Sequence, residues 1–473
     1  MRYAMALDTH ACIGCLACTV ACKVENGSPE GIWFAPVISH ELGEFPDVRR
    51  AYLPLLCNHC SDAPCLKACP TGAITRRRDG IVLIDQDRCC GSGACVIACP
   101  YGAIHYYGER QAAKTPFDEV KLAGHQPGTA QKCTFCAPRL DRGLRPACID
   151  VCPTGARIFG DLDDPQSAVA KAFAEPDAVA LGAPVDTKPN TRYLARGVRH
   201  AGGTDADIAL AFRPQTQWGT FNALQFWLFA LAGGIAAASR FVPLRATAGG
   251  HSWDLGAVLA VALLAAGGLL LLAHIGKPLK FANALRNWRS SWISRGAIAD
   301  FFFLALGAFL AVSGPGPLRS VAEIAILPFA AVVVAYPALA MGALHSVPAW
   351  SRANLALKSA ADALMAGCAL AGLIGGWSVP LLGGLAAFAL LRLALWRRGE
   401  SATGHALTSV GFAMALALLA LAVPSLANLA GGVAGVLALE SGLAWRLALL
   451  RSGQSPSPFG ARGELAGKRH AGG

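Results

Sequence analysis

Between about residue 220 and residue 450 the chain has few charges, and beyond residue 152 it has almost no cysteine. Cys368 alone sits in an apolar run, whereas the other 16 of the 17 cysteines lie before residue 153. No secretory or twin-arginine signal opens the sequence, since "MRYAMALDTHACIGC" reaches a cysteine motif before an apolar segment could form. That absence argues against a disulfide framework, because thiols that are not exported stay reduced and serve metals or catalysis. No C-x-x-C-H occurs, so covalent haem is excluded by this cue. His345 and His405 fall at the ends of apolar segments, but no pair of segments offers a bis-histidine arrangement, and no haem b is expected. The break in composition near residue 215 divides the 473 residues into two large units.

The cysteines fall into four groups. "CIGCLACTVAC" supplies Cys12, Cys15, Cys18 and Cys22, and "CNHCSDAPCLKACP" supplies Cys57, Cys60, Cys65 and Cys69. "DRCCGSGACVIACP" supplies Cys89, Cys90, Cys95 and Cys99, and "CTFCAPRLDRGLRPACIDVCP" supplies Cys133, Cys136, Cys148 and Cys152. Three groups end in near-repeats, "CPTGAI" at 69, "CPYGAI" at 99 and "CPTGAR" at 152, which implies duplicated units. Three closely spaced thiolates on a tight loop can hold three irons of one cubane, while the fourth cysteine ligates the neighbouring cluster. Gly14, Gly91 and Ala17 keep the loops small enough for backbone N–H groups to reach the cluster sulfurs. Zinc takes four ligands, usually as two separated C-x2-C pairs, and leaves the repeated fourth cysteine unexplained.

The order and inner spacings of these groups, with "FGDLDDP" at 159–165 and "TKPNTRYL" at 187–194, resemble the four-cluster electron-transfer subunit of dimethyl-sulfoxide-reductase-type molybdoenzymes. The resemblance covers residues 1 to about 195. It implies an α+β, duplicated bacterial-ferredoxin fold in which the groups nest, first with fourth and second with third. One cluster then takes Cys12, Cys15, Cys18 and Cys152, and its neighbour takes Cys133, Cys136, Cys148 and Cys22. A third takes Cys57, Cys60, Cys65 and Cys99; the fourth takes Cys89, Cys95 and Cys69, with Ser92 where a thiolate should be. A hydroxyl ligates iron poorly at neutral pH, because it must lose a proton that a thiol loses readily. The favoured reading is a 3Fe–4S cluster beside three 4Fe–4S clusters, as in a related nitrate-reductase subunit that lacks the same cysteine. A 4Fe–4S cluster completed by Ser92 or Cys90 is the alternative, and an empty site would leave three good thiolates unexplained.

Eight apolar stretches follow, each long enough to span a membrane (~20 residues): 219–238, 255–273, 297–313, 324–343, 356–376, 379–396, 405–422 and 427–449. Their Gly and Ala content suits close helix packing in lipid. The net charge of +11 could mark a nucleic-acid partner, but the placement of the charges argues otherwise. With eight spans, loops on the N-terminal side carry Lys277, Lys280, Arg286, Arg289, Arg295, Arg352, Arg397 and Arg398, and the tail adds Arg451, Arg462, Lys468 and Arg469. The opposite loops carry Arg240, Arg245 and Arg319. The positive-inside rule then predicts the inner membrane, with the cysteine-rich half and both termini cytoplasmic.

"HIGKPLKFANALRNWRSSWISRG", 274–296, resembles the H-L-G-x-P and S-W-L-S-R-E signatures of the dimethyl sulfoxide reductase membrane anchor, the quinol-oxidising subunit. It implies a quinone site at His274. The family's glutamate is Gly296 here, and Asp300, one helical turn on, is the candidate replacement as proton acceptor. The expected organisation is an iron–sulfur domain over 1–160, an irregular linker over 161–215, an eight-helix anchor over 216–450 and a disordered basic tail over 451–473. The expected function is electron relay between menaquinone or ubiquinone and a separate molybdopterin subunit, in either direction; sulfite-oxidising relatives would run it toward quinone. Rival readings are a redox-driven proton translocator using Lys358, Asp362 and Glu440, and a membrane-bound redox sensor. Lys358 and Asp362 are expected to form an i,i+4 pair inside the bundle.

Overall fold

The computed structural model describes residues 1–42, 45–108, 125–181, 186–194, 217–248, 251–344, 347, 350, 354–395 and 404–453. Its first half is α+β. Strand β1 (Tyr3–Asp8) is followed by helix α1 (Ala17–Asn26), the hairpin β2 (Val37–Leu42) and β3 (Arg49–Pro54), and helix α2 (Pro64–Ala68). A second hairpin, β4 (Ile74–Arg76) and β5 (Val82–Ile84), precedes α3 (Ala94–Ala98), and a third pairs β6 (Ile104–Tyr107) with β7 (Thr129–Lys132). Helices α4 (Ala137–Leu140) and α5 (Ala147–Asp150) complete the cysteine-bearing part. The repeats seen in sequence share a backbone turn: Gly72, Gly102 and Gly155 have φ of +62°, +60° and +67°, a region glycine enters without steric penalty.

Residues 161–181 and 186–194 are more regular than their Pro/Gly/Asp content suggests. Strand β8 (Arg157–Asp161), helix α6 (Ala168–Phe173), β9 (Ala178–Val179) and β10 (Thr191–Leu194) close a four-stranded sheet in the order β8-β1-β10-β9. β10 lies parallel to β1, pairing Met5 with Thr191, and β8 lies antiparallel to it. A pairing across so many residues leaves no local signal in sequence. The rest of the expected linker, Arg352, Arg397, Arg398, His345, the His405 side chain and the tail beyond 453 lie outside the described residues.

The second half is helical: α7 (Thr220–Phe241), α8 (Leu255–His274), α9 (Trp292–Val312), α10 (Pro317–Gly342), α11 (Leu355–Gly375), α12 (Val379–Ala394), α13 (Gly404–Ala422) and α14 (Ala427–Gly453). A short hairpin, β11 (Arg245–Ala248) with β12 (His251–Asp254), joins α7 to α8. Six of these helices are long and apolar enough to cross a membrane, and α12 and α13 are shorter apolar helices. At 1.5 Å per residue the 16 residues of α12 reach about 24 Å, short of a ~30 Å hydrocarbon core. Small residues set the helix spacing: a Cβ on Gly234 of α7 would overlap the Ala363 carbonyl of α11, and one on Gly367 would overlap Gly234 itself. Two buried carboxylates of the helical half are paired with arginines. Asp254 holds both Arg240 and Arg319 at the end remote from the cysteines, and Asp362 is bound by Arg446 of α14.

Candidate functional site

The local folds place the cysteines in repeating positions. Cys65, Cys95 and Cys148 are the second residues of α2, α3 and α5, while Cys69 and Cys99 cap the C-terminal ends of α2 and α3. Cys18 and Cys22 lie on α1, and Gly14 before it (φ +69°) sits where a Cβ would overlap the Tyr52 ring. Most of the grouped cysteines find their electrostatic neighbours across the nested groups. Cys12 lies in range of Cys18 and Cys152, and a hollow there is lined by Cys12, Cys15, Cys18 and Cys152. Cys22 neighbours Cys148 and Cys136, and Cys133 neighbours Cys22 and Cys148. Cys57, Cys60, Cys65 and Cys99 meet one another. Cys95 meets Cys89 and Cys69, and a second hollow is lined by Cys69, Cys89, Cys90, Ser92 and Cys95.

The four sets also touch end to end. Cys148 senses Cys18, Cys133 senses Cys57, and Cys95 senses Cys65. They therefore form a line from the Cys12 set to the Ser92 set. Burial pushes the thiols of Cys22, Cys60 and Cys90 up to about 12, and those of Cys99 and Cys148 up to about 11. Such thiols stay protonated at neutral pH unless a metal deprotonates them. Among the described residues no three His, Cys, Asp or Glu side chains converge on a point that one metal ion could fill. Four thiols arranged around a hollow fit a multi-iron cluster, which seats each thiolate on its own iron.

Two buried cations stand in this line, and sequence reading missed both. Lys132 is 3 % exposed and donates to the carbonyls of Val82 and Cys133, the latter at 2.9 Å; it also lies in range of Cys65 and Cys99. Arg157 is 4 % exposed and faces Cys148 and Cys18. A signal existed for Arg157, because it occupies the place of Ile74 and Ile104 in the three near-repeats.

The Ser92 loop faces the helical half. The Lys277 N–H donates to the Cys90 carbonyl at 2.9 Å, and the Trp218 indole N–H donates to the Ser92 carbonyl at 3.1 Å. Asn287 donates to the Cys69 carbonyl, and the Ser294 hydroxyl donates to that of Pro70 at 3.0 Å. His274, three residues before Lys277, closes α8; its Nε2 lies 3.2 Å from the Asn222 amide nitrogen, and its Nδ1 has no partner. Asp300 lies one turn beyond Gly296 on α9. The Tyr336 hydroxyl donates to its Oδ2 at 3.3 Å, and its buried Oδ1 is unpartnered. A Cβ on Gly296 would overlap the Tyr336 ring, so the tyrosine fills the space a side chain at 296 would take. No hydrogen bond among the described residues links His274 to Asp300; Phe229 of α7, 5.9 Å from the Tyr336 ring, packs between α7 and α10. Asn222 and Tyr336 were not legible in sequence, since neither carries a motif. A cavity of about 450 Å³ lies along the seam, lined by Ala68 and Ala94 on one side and Trp218, Trp292, Ile293 and Ala340 on the other. Neither His274 nor Asp300 lines it, although Ala340 is one turn from Tyr336.

A family model described as a 4Fe-4S dicluster domain matches residues 48–162. The chain is 38 % identical over 225 residues to the arsenate respiratory reductase iron–sulfur subunit of Shewanella sp., covering 41 % of this chain and 96 % of that one. It is 41 % identical to a tetrathionate reductase subunit of Salmonella typhimurium, over 41 % of this chain and 72 % of the relative. A sulfite dehydrogenase subunit of Allochromatium vinosum is 35 % identical over 41 % of this chain and 83 % of its own length.

Proposed function

This chain belongs to the family of iron–sulfur electron-transfer subunits of dimethyl-sulfoxide-reductase-type molybdoenzymes, and we propose that it relays electrons between a membrane quinone and a separate molybdopterin catalytic subunit. Its helical half is the membrane anchor, fused behind the relay in one chain. The observation that carries this reading is the hydrogen bond from Lys277, three residues past His274, to the Cys90 carbonyl. It joins the end of the cysteine line directly to the helix end where the quinone-site motif falls.

Iron–sulfur clusters held by the four cysteine sets would supply one-electron relay steps between a two-electron quinol and the distant catalytic partner. Three sets offer four thiolates each, and the fourth offers Cys69, Cys89 and Cys95 with Ser92 and Cys90 beside them. Losing one thiolate and one iron raises a cluster's potential, which suits a site that accepts electrons from quinol. Clusters held by these sets would carry single electrons between the Ser92 set and the Cys12 set by way of the Cys57 and Cys133 sets, and Cys15 of the Cys12 set is exposed for a partner. Lys132 and Arg157 offset part of the thiolate charge along that line. On the membrane side the buried Oδ1 of Asp300 and Nδ1 of His274 are the candidate proton acceptors; the seam cavity, which neither of them lines, has room for an amphipathic ring against Ala68 and Ala94, the chain neighbours of Cys69 and Cys95.

The catalytic partner sets the direction, since relatives are named both as reductase and as dehydrogenase subunits. The lysine and arginine distribution favours a cytoplasmic iron–sulfur half. Asp362, which the proton-translocator reading needs as a carrier, is neutralised by Arg446, which favours the relay. Affinity purification of the tagged full chain from its native membranes tests the proposal. A pterin-containing subunit should copurify, and added quinol should bleach the iron–sulfur absorbance. A chain that purifies without such a partner, and is reduced by dithionite but not by quinol, contradicts it.

A further inference from the structure

The Ser92 set departs from the other three at two positions, and the departures are reciprocal. Where the other groups place their second cysteine, Cys15, Cys60 or Cys136, this one has Ser92. Directly after the first cysteine the others have Ile13, Asn58 or Thr134, and this one has Cys90. The displaced thiol faces the set. Cys90 is 2 % exposed, lies in range of Cys69, Cys89 and Cys95, and lines the same hollow, with Ser92 beside its sulfur. Cys69, Cys89 and Cys95 are also in range of one another, so four thiols surround this hollow. The backbone shows how neighbouring residues serve one hollow: Gly91 and Gly93 take φ of +75° and +71° and turn the chain tightly on either side of Ser92. The loop is pinned from outside. The Lys277 N–H holds the Cys90 carbonyl, the Trp218 indole holds that of Ser92, and a Cβ on Gly91 would overlap the Gly128 carbonyl. Side-chain rotation at Cys90 is therefore the freedom that remains.

We propose that the Ser92 set is a metal-exchange site, in which Cys69, Cys89 and Cys95 hold a 3Fe–4S core and Cys90 is the ligand through which its open corner takes and releases a fourth, ferrous ion. The inference rests on the cluster reading of this set and is independent of the quinone route. A hydroxyl ligates iron poorly, so the corner ion has only this off-register thiol, and it is the one iron of the line free to leave. For uptake, the oxidised 3Fe–4S core accepts one electron, from quinol or dithionite. Fe2+ then enters with its two positive charges, the Cys90 S–H bond gives way to S–Fe, and the proton leaves to water. A one-electron oxidant, ferricyanide in the test below, takes one electron from the 4Fe–4S core; Fe2+ departs and Cys90 regains a proton. Occupancy of the corner thereby sets whether the end of the line next to the helical half is a high-potential or a low-potential centre.

The test uses the full chain in its complex, reconstituted in nanodiscs, and reads electron paramagnetic resonance and iron per chain, not turnover. Ferricyanide-oxidised protein should show the 3Fe–4S signal. Anaerobic dithionite with excess ferrous iron, then desalting and mild reoxidation with thionine, should abolish that signal and add about one iron per chain. Renewed ferricyanide should restore it. Cys90→Ala should keep the signal throughout, with half-conversion needing at least about 100-fold more ferrous iron, the upper end of what loss of a mere hydrogen-bond partner costs a metal ligand. If that variant fails to assemble, Cys90→Ser keeps the volume with a poorer ligand and should need at least about tenfold more. Ser92→Ala should still convert. Conversion of Cys90→Ala at the wild-type iron concentration, or loss of conversion in Ser92→Ala, gives the corner to another ligand and overturns the proposal. An oxidised wild-type protein with full iron and no 3Fe–4S signal overturns it too, because its fourth iron never leaves. Iron sufficient for the other three sets alone would instead remove the cluster reading of this set.

Discussion

Replacing Lys132 by methionine removes one buried positive charge from the middle of the cysteine line and little volume. The ammonium sits 2.9 Å from the Cys133 carbonyl and in range of Cys65 and Cys99, so it lies between the second and third cysteine sets. Taking a separation of about 8 Å from the charge centre of either set and an effective dielectric of about 20, the lost Coulomb interaction is about 2 kcal/mol. For a single electron that corresponds to about 90 mV. Both sets should become harder to reduce by roughly that amount, because the added electron loses a cation that favoured it. The Ser92 set, farther along the line, should shift much less. Methionine also leaves the Val82 and Cys133 carbonyls without their donor, which costs about 1–3 kcal/mol of stability. Redox titration followed by electron paramagnetic resonance reads the potentials, and Lys132→Arg, which keeps the charge, should restore most of the shift. Unchanged potentials in Lys132→Met, with full iron content, would refute the assignment of this lysine to the line.

The atypical set yields a spectroscopic prediction. An oxidised sample should show the signal of a 3Fe–4S centre, and Ser92→Cys should abolish it; an oxidised wild-type sample silent in that region means that Cys90 or Ser92 is a ligand. Asp300→Asn should slow quinol-driven cluster reduction by about 100-fold, the usual range for a lost proton acceptor, with dithionite reduction untouched; a wild-type rate would remove Asp300 from the site. Arg446→Met should destabilise the bundle by about 3–5 kcal/mol by stranding the Asp362 carboxylate, and adding Asp362→Leu should recover most of it. Thermal unfolding in detergent measures both, and a double variant no more stable than the single one contradicts the charge-stranding account.

What could be read from sequence was what ligand chemistry makes local. Cysteine spacing, the near-repeats and the glycines of the tight loops all act within a few residues, and the structure gathers the four sets in nested order. The apolar stretches were equally legible, since membrane length is a local property, although the 16 residues of α12 fall short of a full span. Contacts between distant segments were not. β10 adds to β1 in parallel across nearly the whole first half, so residues 161–194 looked irregular. Asp362 was expected to pair with Lys358 by helical spacing, yet its ion pair is with Arg446, 84 residues away. Gly276 stood inside a recognisable motif, but the reason for a glycine there, contact with Gly128 and Gly91, lies in another part of the chain. Tyr336 fills the space beside Gly296 and donates to Asp300, a pairing that no spacing announces.

The central claim is that electrons pass between a membrane quinone and the cysteine line at the Ser92 set. Freeze-quench electron paramagnetic resonance of the oxidised complex after mixing with menaquinol or ubiquinol tests it most directly. The signal of the Ser92 set should be lost first, before the signals of the reduced Cys57, Cys133 and Cys12 sets develop. Reduction that begins at the Cys12 set, or a complex that dithionite reduces and neither quinol does, would contradict the account.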